Sequence, residues 1–453
     1  MAKLVAIGDS LTQGFQSLAI NKTNLSFPAM IAEALGVRVP DFRVPDFLGD
    51  GGLPFNVEWL ARRLEEKYGD NINAFEWPFA LNTIVQLIDD VEDYWERGKG
   101  SLPAKDTLYH NLAVWGFKVA DAYEINAGMG EIAIQNTKDN WFRPPSEPML
   151  RTAYRVLNPA RLHERMPDTQ IKIAKRIKEE DGEIENLIVW LGANNCLNTV
   201  VRLRVEESGD EPPDRNSSVT LWTPTAFKKQ YDVLAAEIQA IGAKNVYVAT
   251  VPHVTIPPVS RGIMKNRGRL PQSRKYFDYY TAFYIRDKEF DPNKDPYITG
   301  EEAEKVDGYI NEYNQIIRDH ADDKGWHVMD ACAVLDSLAV RRNHGDPSYV
   351  LPDAINDLNI RFFEIESNGK IKNGGLISLD GVHPTTCGYA IVAQEFINIM
   401  KPHNPGIRDI DFADIRFWDS LISKPPLTLD DMFGMLKTLE KWFHISRLYI
   451  SET

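Results

Sequence analysis

Five short apolar runs, each closed by polar residues and separated from the next by helical patterning, set the strongest limit on how this chain can fold. They are KLVAI at 3–7, LYHNLAV at 108–114, NLIVWLG at 186–192, NVYVATV at 245–251 and WHVMDAC at 326–332. Runs that are apolar at nearly every position, not at alternate ones, read as strands covered on both faces, which is the condition of a parallel sheet. Helical patterns between them include FPAMIAEALG at 27–36, with Gly36 as its stop, and IKIAKRIKEED at 171–181. Thr299 followed by Glu302 reads as a capping box opening a helix that carries Val306, Ile310, Tyr313 and Ile317 on one face. Strand alternating with helix predicts a parallel sheet with helices on both sides, its functional groups gathered at the carboxyl ends of the strands.

The first run breaks off in IGDSLTQG at 7–14. A strand that ends at Gly8 and a helix that begins just beyond it leave Ser10 at a strand-to-helix turn, where an α/β enzyme keeps a nucleophile. A serine hydroxyl is a weak nucleophile at its own pKa, so it needs a base within hydrogen-bond reach and a group to orient that base. Far along the chain, SLDGVHPTTCGYA places Asp380 three residues before His383, with Pro384 suited to the first position of a helix. Acyl transfer also needs donors for the oxygen that becomes negative. The N–H of Ser10, Gly116 in NLAVWGF and Asn194 in WLGANN are the candidates. His253, in VPHVTIPP, is the rival base, with pocket lining or a structural hydrogen bond as its plainer role; Asp9 is expected to bond the turn backbone.

GDSLTQG, NLAVWG, LGANN and DGVHP together resemble the four sequence blocks of the GDSL, or SGNH, hydrolase family, in that family's order. The resemblance implies a flavodoxin-like three-layer α/β/α sandwich with a central parallel sheet, here enlarged by insertions. It also implies Ser10 as nucleophile, Gly116 and Asn194 as oxyanion donors with Ser10, and His383 as base oriented by Asp380. Members mostly hydrolyse carboxylic esters of lipids, aryl alcohols or acylated sugars. One position departs: Asn195 stands where the family often has Asp, which bears on how that loop is bonded. The expected function is a serine ester hydrolase of lipase or esterase type, working through an acyl-enzyme on Ser10 and calling for no cofactor and no metal. Acyl transfer or carbohydrate O-deacetylation on the same site is the alternative, and a catalytically silent binding or scaffold protein is the alternative of another class.

A formal charge of -14, from 51 basic against 65 acidic residues, argues against nucleic acid as a partner. Cys196, Cys332 and Cys387 are too few and scattered for a disulfide framework or a closed zinc site. No apolar stretch reaches the roughly 20 residues that span a bilayer. The start MAKLVAIGDS carries no leader pattern, so the chain as written is expected to be cytoplasmic, or secreted if a leader was removed. The expected partner is a small-molecule or lipid ester; the oligomeric state is not encoded in any of these features.

One hydrolase domain is expected over 1–404, with large insertions at about 38–105, 120–168 and 252–298 and a shorter polar one at 204–222. Residues 405–453 are expected to form a helical appendage, with Met432, Met435, Leu436, Leu439, Trp442 and Phe443 on its apolar face and Thr428 opening it. Trp77, Phe79, Trp115, Phe117, Trp141 and Phe142 lie in or near these insertions, and Trp115, Phe117 and His253 are the candidate substrate-binding residues. Segment 261–280 is basic and aromatic. It reads as a solvated loop or lid, with contact to an anionic or phospholipid-like substrate as its second reading.

Overall fold

The computed structural model describes all residues except 39–40, 48, 71, 74, 138–142, 215–216, 361–363, 366–370, 427–436, 438–439 and 442–453. Four of the five apolar runs become strands of one parallel sheet: β1 (Val5–Gly8), β2 (Asn186–Trp190), β3 (Asn245–Ala249) and β4 (His327–Met329), side by side in that order. The register pairs Val5 with Leu187 and Gly8 with Trp190, so β1 and β2 end level.

The 108–114 run also lies along the sheet, on the free side of β1. Ala6 N–H donates to His110 O at 2.9 Å, and Leu112 and Val114 N–H donate to Ala6 and Gly8 O at 2.8 and 3.1 Å. It is recorded as a single parallel bridge at Asn111 and not as a full strand. Side chains complete its backbone bonding on both sides, and Gln170 enters between the run and β1 where the next ladder bond would fall. Asn111 Oδ1 accepts from Ala113 N–H at 3.2 Å, and Gln170 Nε2 bridges the Leu112 and Gly8 carbonyls at 2.8 and 2.9 Å. With that run counted, the order of the five in space is second, first, third, fourth, fifth, the flavodoxin-like arrangement with its switch point between β1 and β2.

Successive strand residues feed two separate cores. Val5, Ile7, Leu187, Val189, Val246 and Val248 point to one face, packed by helices α3 (Gln170–Asp181), α4 (Pro224–Ile241) and α5 (Gly300–Lys324). Ala6, Ile188, Trp190, Tyr247, Ala249 and Met329 point to the other, covered by α2 (Phe27–Ala34) and α7 (Thr386–Met400), with the start of α6 (Ala331–Leu338) beside them. α5 opens with the expected capping box, in which Thr299 and Glu302 each bond the other's backbone N–H. Its apolar face of Val306, Ile310, Tyr313 and Ile317 is fully buried.

The long stretches carry structure of their own. Helices Val57–Tyr68 and Trp77–Glu96 lie in the first and Ala127–Gln135 and Pro148–Leu157 in the second. The third folds into a small antiparallel sheet of Ser260–Ile263, Tyr279–Ala282 and Ile298–Thr299. After residue 404, helix Phe412–Trp418 and the turn Ser420–Ser423 are tied to the main body, since the buried carboxylate of Asp419 accepts from Cys387 N–H at 2.8 Å at the start of α7. The expected apolar face from Met432 to Phe443, and Thr428, lie outside the described residues.

Candidate active site

The turn that carries Ser10 is set by sterics at its two ends. A Cβ on Gly8 would come within 2.2 Å of Thr12 Oγ1 and 2.8 Å of the Trp190 carbonyl, so only glycine lets β1 end against β2 and turn at once. Helix α1 (Ser10–Gln13) follows. Asp9 is its N-cap, accepting from Leu11 N–H at 3.0 Å, and Gly14 closes it in the left-handed region at φ 87°. Ser10 is thereby held at the carboxyl end of β1, beside the switch point of the sheet.

The turn before α7 delivers the other two groups. His383 Nε2 lies 2.9 Å from Ser10 Oγ, and His383 Nδ1 lies 3.0 Å from Asp380 Oδ2. Phe15 packs against the imidazole, with ring centroids 4.6 Å apart. Asp380 is fully buried. Its Oδ1 accepts from the N–H groups of Val382 and His383 at 2.9 and 2.8 Å, and its Oδ2 accepts from Leu18 N–H at 3.1 Å. Burial alone would raise its pKa, but the adjacent His383 and these bonds reverse the effect and hold the carboxyl below its ordinary range. Such a chain can move a proton from a hydroxyl to an imidazole and stabilise the imidazolium that forms.

Gly116 follows the 108–114 run, and among the described residues neither its N–H nor that of Ser10 meets an acceptor. Asn194 lies just past β2, and its amide is already engaged. Its Nδ2 donates to Phe117 O at 2.9 Å and to Asp9 Oδ2 at 3.3 Å. The second is the longer and weaker bond. Burial pushes the Asp9 carboxyl up to about 7, against the opposing pull of the Leu11 N–H and His383. Asn195 uses its Oδ1 to accept from Val119 N–H at 3.3 Å and leaves its buried Nδ2 unpartnered, a donor that Asp would not carry.

His253 is not part of this chain of bonds. Its Nδ1 faces Asp336 Oδ1 at 2.8 Å and its Nε2 faces Asn311 Oδ1 at 3.1 Å, so both ring nitrogens meet acceptors. Burial would lower its pKa; hydrogen bonds to Asp336 and Cys332 overcome that and raise it to about 10. The orienting acid comes from α6, 83 residues away, and no local spacing announces it. His253, Cys332 and Asp336 are also the residues that could offer donors to a metal, their ligand atoms lying within 4.8 Å of one another.

The match to the family model of GDSL-like lipase/acylhydrolase runs over residues 4–396. The chain belongs to that family. Solved structures similar to this GDSL-like family member include an acetyl xylan esterase, at 15% identity over 50% of this chain and 73% of that one with a TM-score of 0.24. A lipase/acylhydrolase from Enterococcus faecalis matches at 15% identity over 52% and 71% with a TM-score of 0.22. Likeness at that level carries no argument. No curated protein matches the chain.

Ser10, Asn194, His253 and His383 of this GDSL-like chain all face one cleft, with a cavity of about 110 Å³, the rest of whose wall is almost wholly apolar. Two candidate substrate residues do not reach it. Trp115 is buried and donates its Nε1–H to Thr152 Oγ1 at 2.9 Å, and Phe117 is fully buried in the core. Both sit just after an edge run that the inserted helices cover, so their rings serve packing. Phe79 is exposed to solvent, and Trp141 and Phe142 lie outside the described residues.

The basic segment 261–280 contributes nothing to the cleft wall. Three of its basic side chains are met locally: Arg274 pairs with Asp278 at 2.8 Å, Arg261 with Asp287 at 2.5 Å, and Arg267 donates to the carbonyls of Asp287, Lys288 and Phe290. That pairing favours the solvated-loop reading over a receptor for anionic substrate. Among the described residues, no helix is long and apolar enough to cross a membrane.

Proposed function

We propose that this GDSL-like family member is a serine carboxylic ester hydrolase. The observation that carries the reading is the unbroken run of hydrogen bonds from Ser10 Oγ through His383 to Asp380, at 2.9 and 3.0 Å, opening on an apolar cleft. Ser10 Oγ attacks the ester carbonyl carbon while His383 Nε2 takes its proton. The N–H groups of Ser10 and Gly116 meet the oxyanion, and Asn194 joins them as its hydrogen leaves Asp9. His383 then returns the proton to the departing alcohol, and the ester carbon stays bound to Ser10. Water, deprotonated by the same imidazole, breaks that bond and releases the acid. Asp380 keeps its charge throughout and stabilises the imidazolium.

The test is labelling by a fluorophosphonate, which reacts only with an activated serine. The native protein is expected to be labelled at Ser10, and Ser10→Ala to lose both labelling and ester turnover with its circular dichroism unchanged. Full labelling of the Ser10→Ala protein at another serine defeats the assignment.

A further inference from the structure

We propose that the cleft is a gauge for a linear acyl chain of about octanoyl size, a reading that rests on the assignment of Ser10 as the nucleophile of an ester hydrolase. Two helices build its walls. α6 offers Val334, Leu335 and Leu338, and α7 offers Ile391 and Val392, with Trp190 and Met329 of the sheet between them. Val334, Leu335, Leu338 and Val392 are only partly buried, so apolar surface stays open along a channel that begins at Ser10 and His383.

Gly388, Ile391, Val392 and Glu395 all line the channel, and their spacing puts them on one face of α7. From Gly388 to Glu395 that face advances about 10 Å, at 1.5 Å per residue, the reach of an octanoyl group. Past the groups gathered around Ser10, Glu395 is the polar side chain of the wall. Its Oε1 accepts from Tyr349 O–H at 2.6 Å, which fixes a carboxylate at the distal end. A methyl terminus stops there, because a longer chain would have to displace or desolvate that carboxylate. Between the groups around Ser10 and the Glu395 carboxylate, the side chains of α6 and α7 that line the channel carry no donor or acceptor for an acylated sugar.

The acyl half of the ester is the half that fits. It remains attached to Ser10 through both steps, whereas the alcohol must leave and water must enter between them. A chain seated in a deep channel suits the part that stays.

The experiment compares kcat/KM for p-nitrophenyl acetate, butanoate, octanoate and hexadecanoate, and for methyl octanoate against octyl acetate. Each methylene buried is worth about fourfold, so octanoate should exceed butanoate on the order of a hundredfold, and hexadecanoate should fall below octanoate. Leu338→Trp and Val392→Trp should each lower the octanoate-to-acetate ratio about tenfold or more. A flat series, a preference for acetate, a further rise to hexadecanoate, or octyl acetate outrunning methyl octanoate overturns the proposal. Calorimetric titration of Ser10→Ala with sodium octanoate separates the two readings. Octanoate binding without turnover of any ester by the native protein leaves the channel standing and defeats the hydrolase; turnover of esters without octanoate binding defeats the channel alone. Should a tryptophan variant fail to fold, the native chain-length series and the titration decide the matter.

Discussion

Asp380 and Asp9 flank the same imidazole, are both fully buried, and are pushed in opposite directions. The charge of His383 and the hydrogen bonds from Leu18, Val382 and His383 hold the Asp380 pKa down. Its contribution to stability is present above the ordinary carboxylate pKa and is lost as the pH falls through the lower folded-state value. Asp9 has the Leu11 N–H and one long bond from Asn194, too few to offset burial, and its pKa rises from 3.8 to about 7. Its contribution is complete below 3.8 and is lost as the pH rises through about 7. Asp9→Asn has no proton to lose, so its melting temperature should fall less than the native protein's between about pH 5 and pH 8, a difference equivalent to at most about 3 kcal/mol. Equal slopes in calorimetric scans would contradict the burial argument. The two histidines also separate at this scale. His383→Ala should lower kcat on the order of 10⁴-fold. His253→Ala should act on KM and cost about 1–2 kcal/mol of stability, because Asp336 is partly exposed and water can replace its partner. A kcat collapse confined to His253→Ala reverses the assignment of the base.

The loop between α1 and α2 shows how an element can be strained and still secure. Ser17 and Leu18 are consecutive, buried, non-glycine residues at φ 54° and 64°, a left-handed conformation that costs roughly 1–3 kcal/mol at each. Ser17 N–H donates to Ser378 Oγ at 2.9 Å and Leu18 N–H to Asp380 at 3.1 Å, while the Ser17 and Leu18 carbonyls accept from Val57 and Phe55 N–H at 2.9 and 3.4 Å. Tyr389 O–H adds a further tie to the Phe15 carbonyl at 2.6 Å. Ser378→Ala removes the acceptor of a buried N–H and should cost about 1–3 kcal/mol. Because the same loop aims Leu18 N–H at Asp380, kcat should fall with stability; an unchanged melting temperature would mean that the loop holds itself. None of this was legible in the sequence, since neither Ser17 nor Leu18 is a residue type that marks a left-handed turn. The capping box at Thr299 and Glu302 was legible, because both its bonds join residues three apart.

For the whole molecule, the five apolar runs and the turn glycines disclosed the sheet, its layers and the positions of Ser10, Gly116 and Asn194 at strand ends, since each depends on chain within a few residues. Asp380 and His383 were readable as a pair for the same reason. What escaped were side-chain meetings across long separations. Asp336 on His253, Thr152 under Trp115 and Glu395 at the end of the cleft each come from an element whose placement only the assembled core determines. The roles assigned to Trp115 and Phe117 failed there: an aromatic near a strand end can face a cleft or the covering helices, and the sequence is the same in both cases. The edge run at 108–114 escaped in part, because Gln170, from an element 58 residues on, enters between it and β1 and takes the place of a ladder bond.

The bonds between residues 10–18 and 378–389 join parts of the chain more than 360 positions apart. During synthesis, at about 5–20 residues per second, Ser10 is therefore made tens of seconds before His383 exists. Through that interval the serine is an ordinary alcohol, and the left-handed loop beside it lacks Ser378 and Asp380 to hold it. On the proposed mechanism, reactivity at Ser10 reports that the chain has closed on itself, and a growing chain gains it only once it is complete to His383.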